Sequence, residues 1–225
     1  ALPFPAWLTQ AMQDMQSAPP PAVPVARPVI AICIDDLGED IAGTDKAMLL
    51  PKAVALSFLP YAETTPFLAE AAAKRGHLIL AHVPMQALGK SDPGPGALKV
   101  GMAQDEIARR VTWNLSRVPG LAGINNHEGS RFTADAPSLV PVASALKARH
   151  LFFFDSRTGP DTKVGAVARG MGVMGARRLS MVTRPRSLRT TAAAASTLPS
   201  RRSAMVSWRS CSLVATSWCR GASRC

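Results

Sequence analysis

Five short apolar runs alternate along the chain with segments whose apolar residues recur at helical spacing. The first run, Ile30 to Ile34, is rich in β-branched residues, which predicts a strand buried on both faces. The other runs span residues 53–59, 77–81, 121–124 and 151–154. Helices are predicted between them, over residues 41–49, 63–74, 104–116 and 136–149. Strands that alternate with helices in this way predict a parallel α/β architecture.

Polar side chains follow four of the five predicted strands. They are Asp35 and Asp36 after the first strand, His82 after the third, Asn126 and His127 after the fourth, and Asp155 after the fifth. Because the carboxyl ends of parallel strands meet at one face of a barrel, we expect these side chains to lie close together. His77 begins a strand and His150 lies at a helix-to-strand junction, so both are expected to lie outside this site.

Two histidines and an aspartate, with a second aspartate beside them, suit a divalent metal that keeps an open position. Such a metal lowers the pKa of bound water and polarises a carbonyl, while a free carboxylate serves as general base. Structural alternatives stay open for each residue. The Asp35–Asp36 pair could form a turn or cap a helix, and His82 could be a hydrogen-bonded turn residue. Asp155 could cap the next helix or orient a metal ligand.

The two ends of the chain differ in composition from its middle. Residues 1–28 are rich in proline and predict an extended linker. Residues 29–175 hold the predicted strands and helices and form the expected domain. Residues 176–225 hold 10 of the 26 basic residues, all of them Arg, and no Lys, Asp or Glu. The net charge of +11 therefore comes mainly from this tail.

Three interpretations of the Arg-rich tail compete: a basic arm for nucleic acid or membrane, a disordered extension, and the product of a reading-frame shift. The abrupt loss of Lys, Asp and Glu, with a rise in Arg, Ala, Ser and Cys, favours out-of-frame translation. Sequencing the gene across the codons for residues 175–183 tests this hypothesis, and an uninterrupted frame in close relatives would refute it. Nucleic acid is accordingly not expected as a partner.

Six linked motifs resemble those of the divergent polysaccharide deacetylase family. In chain order they are Ile34-Asp-Asp-Leu-Gly38, Leu56-Ser-Phe-Leu-Pro-Tyr61, His82-Val-Pro-Met85, Pro93-Gly-Pro-Gly-Ala-Leu98, Asn125-Asn-His-Glu-Gly-Ser130 and Phe154-Asp-Ser-Arg-Thr158. The resemblance covers about residues 28–169 and implies a distorted (β/α) barrel of the NodB-like deacetylase type. Because the family pattern dissolves after residues 176–178, the out-of-frame hypothesis predicts that this barrel is incomplete. Gln86 stands where NodB-type enzymes have a second histidine close to the first, and Glu128 stands where the divergent pattern often has Met.

The resemblance also implies roles for individual residues. Asp35 is expected to be the general base, and the expected metal ligands, with zinc as the usual ion, are Asp36, His82 and His127. The remaining polar residues of the motifs are expected to support the site; they are Asn125, Asn126, Ser130, Asp155, Ser156 and Arg157.

The function implied by the resemblance is metal-dependent removal of acetyl groups from the amino sugars of a polysaccharide, in the periplasm or elsewhere outside the cytoplasm. The alternative is a non-catalytic metal- or glycan-binding protein of the cell envelope. No stretch reaches the roughly 18 apolar residues of a membrane span. The chain starts at Ala1 rather than Met, which leaves room for a targeting or anchoring segment upstream.

Overall fold

The computed structural model describes the backbone of residues 30–182 and 211–215, and the side chains of residues 31–179. The strands are β1 (Ile30–Leu37), β2 (Ala55–Phe58), β3 (Ile79–Met85), β4 (Leu121–Glu128), β5 (Phe152–Asp155), β6 (Gly175–Arg177), β7 (Ser180–Val182) and β8 (Cys211–Ala215). The helices are α1 (Ile41–Ala47), α2 (Thr65–Lys74), α3 (Gln104–Ser116), α4 (Ala136–Ala148) and α5 (Val164–Met171), with a 3-10 turn at Phe132–Ala134.

The strands form one sheet in the order β6-β5-β4-β3-β2-β1-β8-β7. Strands β1 to β6 are parallel to one another. Strand β8 pairs antiparallel with β1, and β7 pairs antiparallel with β8. The six parallel strands curl into a half-barrel and alternate with helices. The predicted incomplete β/α barrel is therefore confirmed.

Local sequence explains where several helices begin and end. Asp40 accepts a hydrogen bond from the Gly43 amide at the start of α1, and Asp135 does the same for the Ser138 amide at the start of α4. Helix α5 ends at Gly172, whose φ of 71° is a left-handed conformation that glycine adopts without steric cost.

Three strands are longer than the apolar runs that predict them. Strand β1 includes both aspartates, β3 continues through His82 to Met85, and β4 continues through His127 to Glu128. The polar residues therefore lie at the ends of the strands themselves rather than in the loops that follow the strands. The reason is that ladder hydrogen bonds join backbone groups, so pairing continues where the side chains turn polar.

The hydrophobic core lies between the half-barrel and its helices. Strand β3 is buried at all seven positions, as expected for a central parallel strand covered on both faces. The largest fully buried side chains of the core include Phe58 on β2, Phe132 in the 3-10 turn, Ile107 on α3 and Leu146 on α4. Parallel pairing places the carboxyl ends of β1 to β4 side by side, with an irregular β1–β2 register between Ile34 and Leu37, where Asp35 and Asp36 lie.

The predicted linker, residues 1–28, lies outside the described residues, and so does most of the Arg-rich tail. Strand β6 crosses the predicted boundary at residue 175, because Ala176 and Arg177 pair with Phe154 and Asp155 of β5. Strands β7 and β8 also belong to the tail segment. The interpretation of residues 176–225 as out-of-frame sequence stays a prediction.

Candidate metal centre

Asp36, His82 and His127 come together at the carboxyl ends of β1, β3 and β4. One ligand atom from each lies within 4.8 Å of the other two. The Oδ1 atom of Asp36 is 3.2 Å from His82 Nε2 and 3.0 Å from His127 Nδ1. The two imidazole rings meet edge to face, with centroids 4.9 Å apart. Three residues predicted as metal ligands therefore form one group.

The donor set and its spacing fit a divalent metal. Bonds of about 2.0–2.1 Å at tetrahedral angles hold neighbouring ligand atoms about 3.3 Å apart. The separations of 3.2 and 3.0 Å from the Asp36 carboxylate are close to that value. One carboxylate and two imidazoles would leave at least one coordination position for water or substrate.

The backbone at Asp36 is unusual for an aspartate. Its φ of 61° lies in the left-handed region, and Glu128 (φ 52°) and Arg157 (φ 45°) share that conformation at the ends of β4 and β5. Such strain costs about 1–3 kcal/mol per residue and concentrates at functional sites. Gly38, two residues after Asp36, has a φ of 112°. Only glycine fits well at this position, because it adopts positive φ without steric cost and because a Cβ there would collide with Thr65.

Asn125 links the candidate base to a candidate ligand. Its Nδ2 donates to Asp35 Oδ1 at 2.9 Å, and its Oδ1 accepts from His82 Nδ1 at 2.8 Å and from Ser57 Oγ at 2.5 Å. The bond at Nδ1 keeps a proton on that nitrogen, so in the neutral imidazole the lone pair available to a metal is on Nε2. Asn125 is fully buried, so this network is shielded from competing water.

Asp35 is only 5% exposed. Besides the Asn125 amide, the Cys33 thiol donates to its Oδ1 at 3.4 Å. Asp35 is also absent from the residues that line the adjacent cleft, which has a volume of about 330 Å³. That cleft is lined by Asp36, Glu39, Asp40, Leu59, Tyr61 and His127. The role of Asp35 as general base stays a prediction.

The charges of this group are strongly coupled. Burial opposes ionisation of Asp36, but hydrogen bonds from His127 and His82 prevail and hold the pKa of Asp36 well below its usual range. For His82, burial lowers the pKa, but the charge of Asp35 and the hydrogen bond to Asp36 outweigh it and raise the pKa above 6.5. In the metal-free protein His82 is therefore protonated to a higher pH than a free histidine.

This shift predicts that metal binding competes with a proton on His82. A metal needs the neutral imidazole, so below the raised pKa of His82 the affinity is expected to fall about tenfold per pH unit for each proton displaced. The loss begins above pH 6.5, the ordinary value, because the folded pKa is raised. Metal titrations of the full chain between neutral and mildly acidic pH check this. An affinity that does not change across that range would contradict it.

The predicted supporting residues hold the neighbouring strand ends together. Asn126 accepts from the Ser156 amide at 2.9 Å and donates to the Glu128 carbonyl at 2.6 Å. Asp155 accepts from the Arg157 amide at 2.8 Å and from Thr162 Oγ1 at 2.9 Å, so it stabilises the turn after β5. None of these contacts tests a direct role in chemistry.

Ser130 lies further out than the other supporting residues. Its Oγ accepts from the Leu88 amide at 2.9 Å, which ties the exposed loop after β3 to the end of β4. The two remaining histidines lie where the sequence predicts. His77 is buried and its Nδ1 lies 2.9 Å from the Val54 carbonyl, while His150 is exposed.

Several residues near the site were missed by sequence reasoning. Tyr61, Glu39 and Asp40 line the cleft, and the sequence analysis assigns no role in the site to any of them. Arg178 donates from Nη2 to the Arg157 carbonyl at 3.2 Å. Burial lowers the pKa of Arg178 and outweighs the negative charges of Asp35 and Asp155, which act to raise it.

Among the described residues, no helix is both long and apolar enough to cross a bilayer.

The comparisons with known proteins agree with the motifs. The chain is 34% identical over 150 residues to the uncharacterized protein YibQ of Escherichia coli (strain K12), and the aligned region covers 67% of this chain and 47% of YibQ. It is 32% identical over 148 residues to an uncharacterized protein of Haemophilus influenzae, covering 66% of this chain and 53% of that protein. The chain thus spans about half the length of these relatives.

A solved structure supports the same relationship. The crystal structure of the uncharacterized protein ATU2773 from Agrobacterium tumefaciens C58 superposes with a TM-score of 0.63 at 26% identity. The match covers 66% of this chain and 61% of that one. The family model for divergent polysaccharide deacetylases matches residues 32–195, which include the whole ligand group. The chain belongs to the divergent polysaccharide deacetylase family.

Proposed function

We propose that the chain is a metal-dependent hydrolase that removes acetyl groups from the amino sugars of a polysaccharide. The observation that carries the proposal is the convergence of Asp36, His82 and His127 beside an open cleft. The polysaccharide substrate is inferred from the name of the family. Zinc is the proposed metal, because two imidazoles and one carboxylate are a ligand set common in its catalytic sites.

The residues around the site suit hydrolysis of an acetamide. A bound divalent metal would supply Lewis acidity, which polarises a carbonyl and lowers the pKa of water. Asp35 would take the proton of the attacking water, and the products are acetate and a free sugar amine. Asn125 keeps Asp35 and His82 in fixed relation, so that base and ligand move together.

Replacing Asp35 with Asn is expected to reduce acetate release from N-acetylglucosamine oligomers by about 10²–10⁴-fold, because the general base is lost. Metal content should stay unchanged, since Asp35 is not among the three grouped ligands. The matched control is Asp45→Asn, a substitution at an exposed position on α1. Acetate release that survives in Asp35→Asn would refute the assignment of the base.

A second candidate is a non-catalytic metal- or glycan-binding protein of the cell envelope. The burial of Asp35 away from the residues that line the cleft favours it. Under this alternative the chain binds metal or glycan and releases no acetate from any acetylated amino sugar. For either candidate we propose a periplasmic or otherwise extracytoplasmic location. Fractionating cells that express the full-length gene would test the location.

A further inference from the structure

The cleft beside the metal group carries a concentration of negative charge. Asp36, Glu39 and Asp40 line it, and no Lys or Arg is among the lining residues in the described part of the chain. The chain up to Arg169 holds 16 basic and 15 acidic residues, so this charge is a local feature of the cleft. A cleft lined by one sign of charge concentrates ligands of the opposite sign.

The carboxylates of Glu128 and Asp92, from two separate segments, act electrostatically on Tyr61, which lines the cleft. Burial, together with the negative charges of Glu39, Asp36, Glu128 and Asp92, raises the pKa of Tyr61 to about 12. Tyr61 thus stays neutral and lies within the field of all four carboxylates. A divalent ion on the ligand group would offset two of the five acidic charges around the cleft and leave the other three.

Structural contacts fix the positions of the outer carboxylates. The Glu128 carbonyl accepts from Asn126 Nδ2 and Thr158 Oγ1, which holds this residue in its left-handed conformation beside His127. The Glu128 carboxylate accepts from Ser91 Oγ at 3.1 Å. The loop that carries Asp92 packs against the Tyr61 ring at Gly94, where a Cβ would lie 2.8 Å from Tyr61 Cε1.

We propose that this cleft selects amino-sugar polymers that already carry free ammonium groups, and that Glu39 and Glu128 recognise an ammonium on a sugar next to the acetylated one. The inference rests on the proposed function and adds the charge of its substrate. A volume of about 330 Å³ lies at the lower end for small-molecule pockets, so it holds a short piece of polymer and leaves neighbouring sugars at the acidic rim. The Tyr61 face adds a surface that attracts cations.

Calorimetric titration of the zinc-loaded full chain with a glucosamine oligomer and an N-acetylglucosamine oligomer of equal length tests this proposal. Just below neutral pH, the glucosamine oligomer is expected to bind more tightly, and added salt should weaken that preference. Glu39→Gln or Glu128→Gln should each weaken its binding roughly two- to fivefold, as for a partly exposed ion pair, and the double variant roughly tenfold. Gln at position 128 can still accept from Ser91.

Glu70→Gln is the matched control, because Glu70 pairs with Lys74 on α2 and does not line the cleft. It should leave both affinities unchanged. Equal affinity for the two oligomers, or a preference that survives in the double variant, would overturn the proposal. Acetate release from the N-acetylglucosamine oligomer separates this result from the proposed function. Release without a charge preference refutes only the charge selection, and a charge preference without release refutes only the deacetylase activity.

Discussion

Replacing His127 with Ala is expected to abolish stable metal binding. His127 supplies one of three grouped ligand atoms, and its Nδ1 lies 3.0 Å from the Asp36 carboxylate. Changes to residues that only orient a ligand cost 10–100-fold in metal affinity, so removal of a ligand itself should cost more than about 100-fold. The measurement is the zinc that stays bound after loading and gel filtration.

The control for this variant is His150→Asn. His150 is exposed and lies in a left-handed conformation that Asn tolerates, so the substitution removes an imidazole without disturbing the site. This control should retain zinc at the wild-type level. If His127→Ala retained zinc as well as the control does, the ligand assignment would be wrong.

Replacing Asn125 with Ala is expected to reduce both stability and metal affinity. The change removes the acceptor of His82 Nδ1 and Ser57 Oγ and one donor to Asp35, all of them buried. Burying polar groups without partners costs about 1–3 kcal/mol each, so the free energy of unfolding should fall by about 3 kcal/mol. Because His82 also loses the bond that sets its tautomer, metal affinity should fall 10–100-fold.

Chemical denaturation and zinc titration of Asn125→Ala measure the two effects. Thr112→Ala, an exposed substitution on α3, is the control and should change the free energy of unfolding by less than about 0.5 kcal/mol. If the variant loses zinc while its free energy of unfolding falls by much less than about 3 kcal/mol, Asn125 acts mainly by orienting His82. Wild-type values for both quantities would contradict the proposed network.

Local sequence patterns predict β1 to β5 and α1 to α4, but not α5 or the strands β6 to β8. Helix α3 spans Gln104–Ser116, the range that its apolar spacing predicts, because Ile107, Val111 and Leu115 all face the core. The order of strands and helices also follows from the pattern. Strand ends are predicted less well, since β3 and β4 continue through polar residues that only backbone pairing between the strands keeps in the sheet.

The candidate site is only partly visible in the sequence. The residues of the ligand group each follow an apolar run, so their convergence can be predicted from parallel topology. The contacts of Asn125 cannot, because its partners Ser57 and Asp35 are 68 and 90 positions away. The acidic cleft is hidden for the same reason, since Glu39, Asp92 and Glu128 come from three separate segments.

The pairing of the Arg-rich tail with the domain also lies beyond local patterns. Strand β8 pairs antiparallel with β1, and β1 would otherwise be an edge of the sheet. Exposed edges of a sheet promote aggregation, so this pairing has a physical benefit. Composition alone, rich in Arg and Ser, gives no signal of a strand at residues 211–215.

Anomalous X-ray diffraction from crystals of the zinc-loaded full chain tests most directly whether this family member has a metal centre. The expected result is one strong zinc peak in contact with Asp36 Oδ1, His82 Nε2 and His127 Nδ1, the atoms that already lie close together. A peak elsewhere on the chain, or none at saturating zinc, would contradict the metal centre and with it the proposed hydrolase.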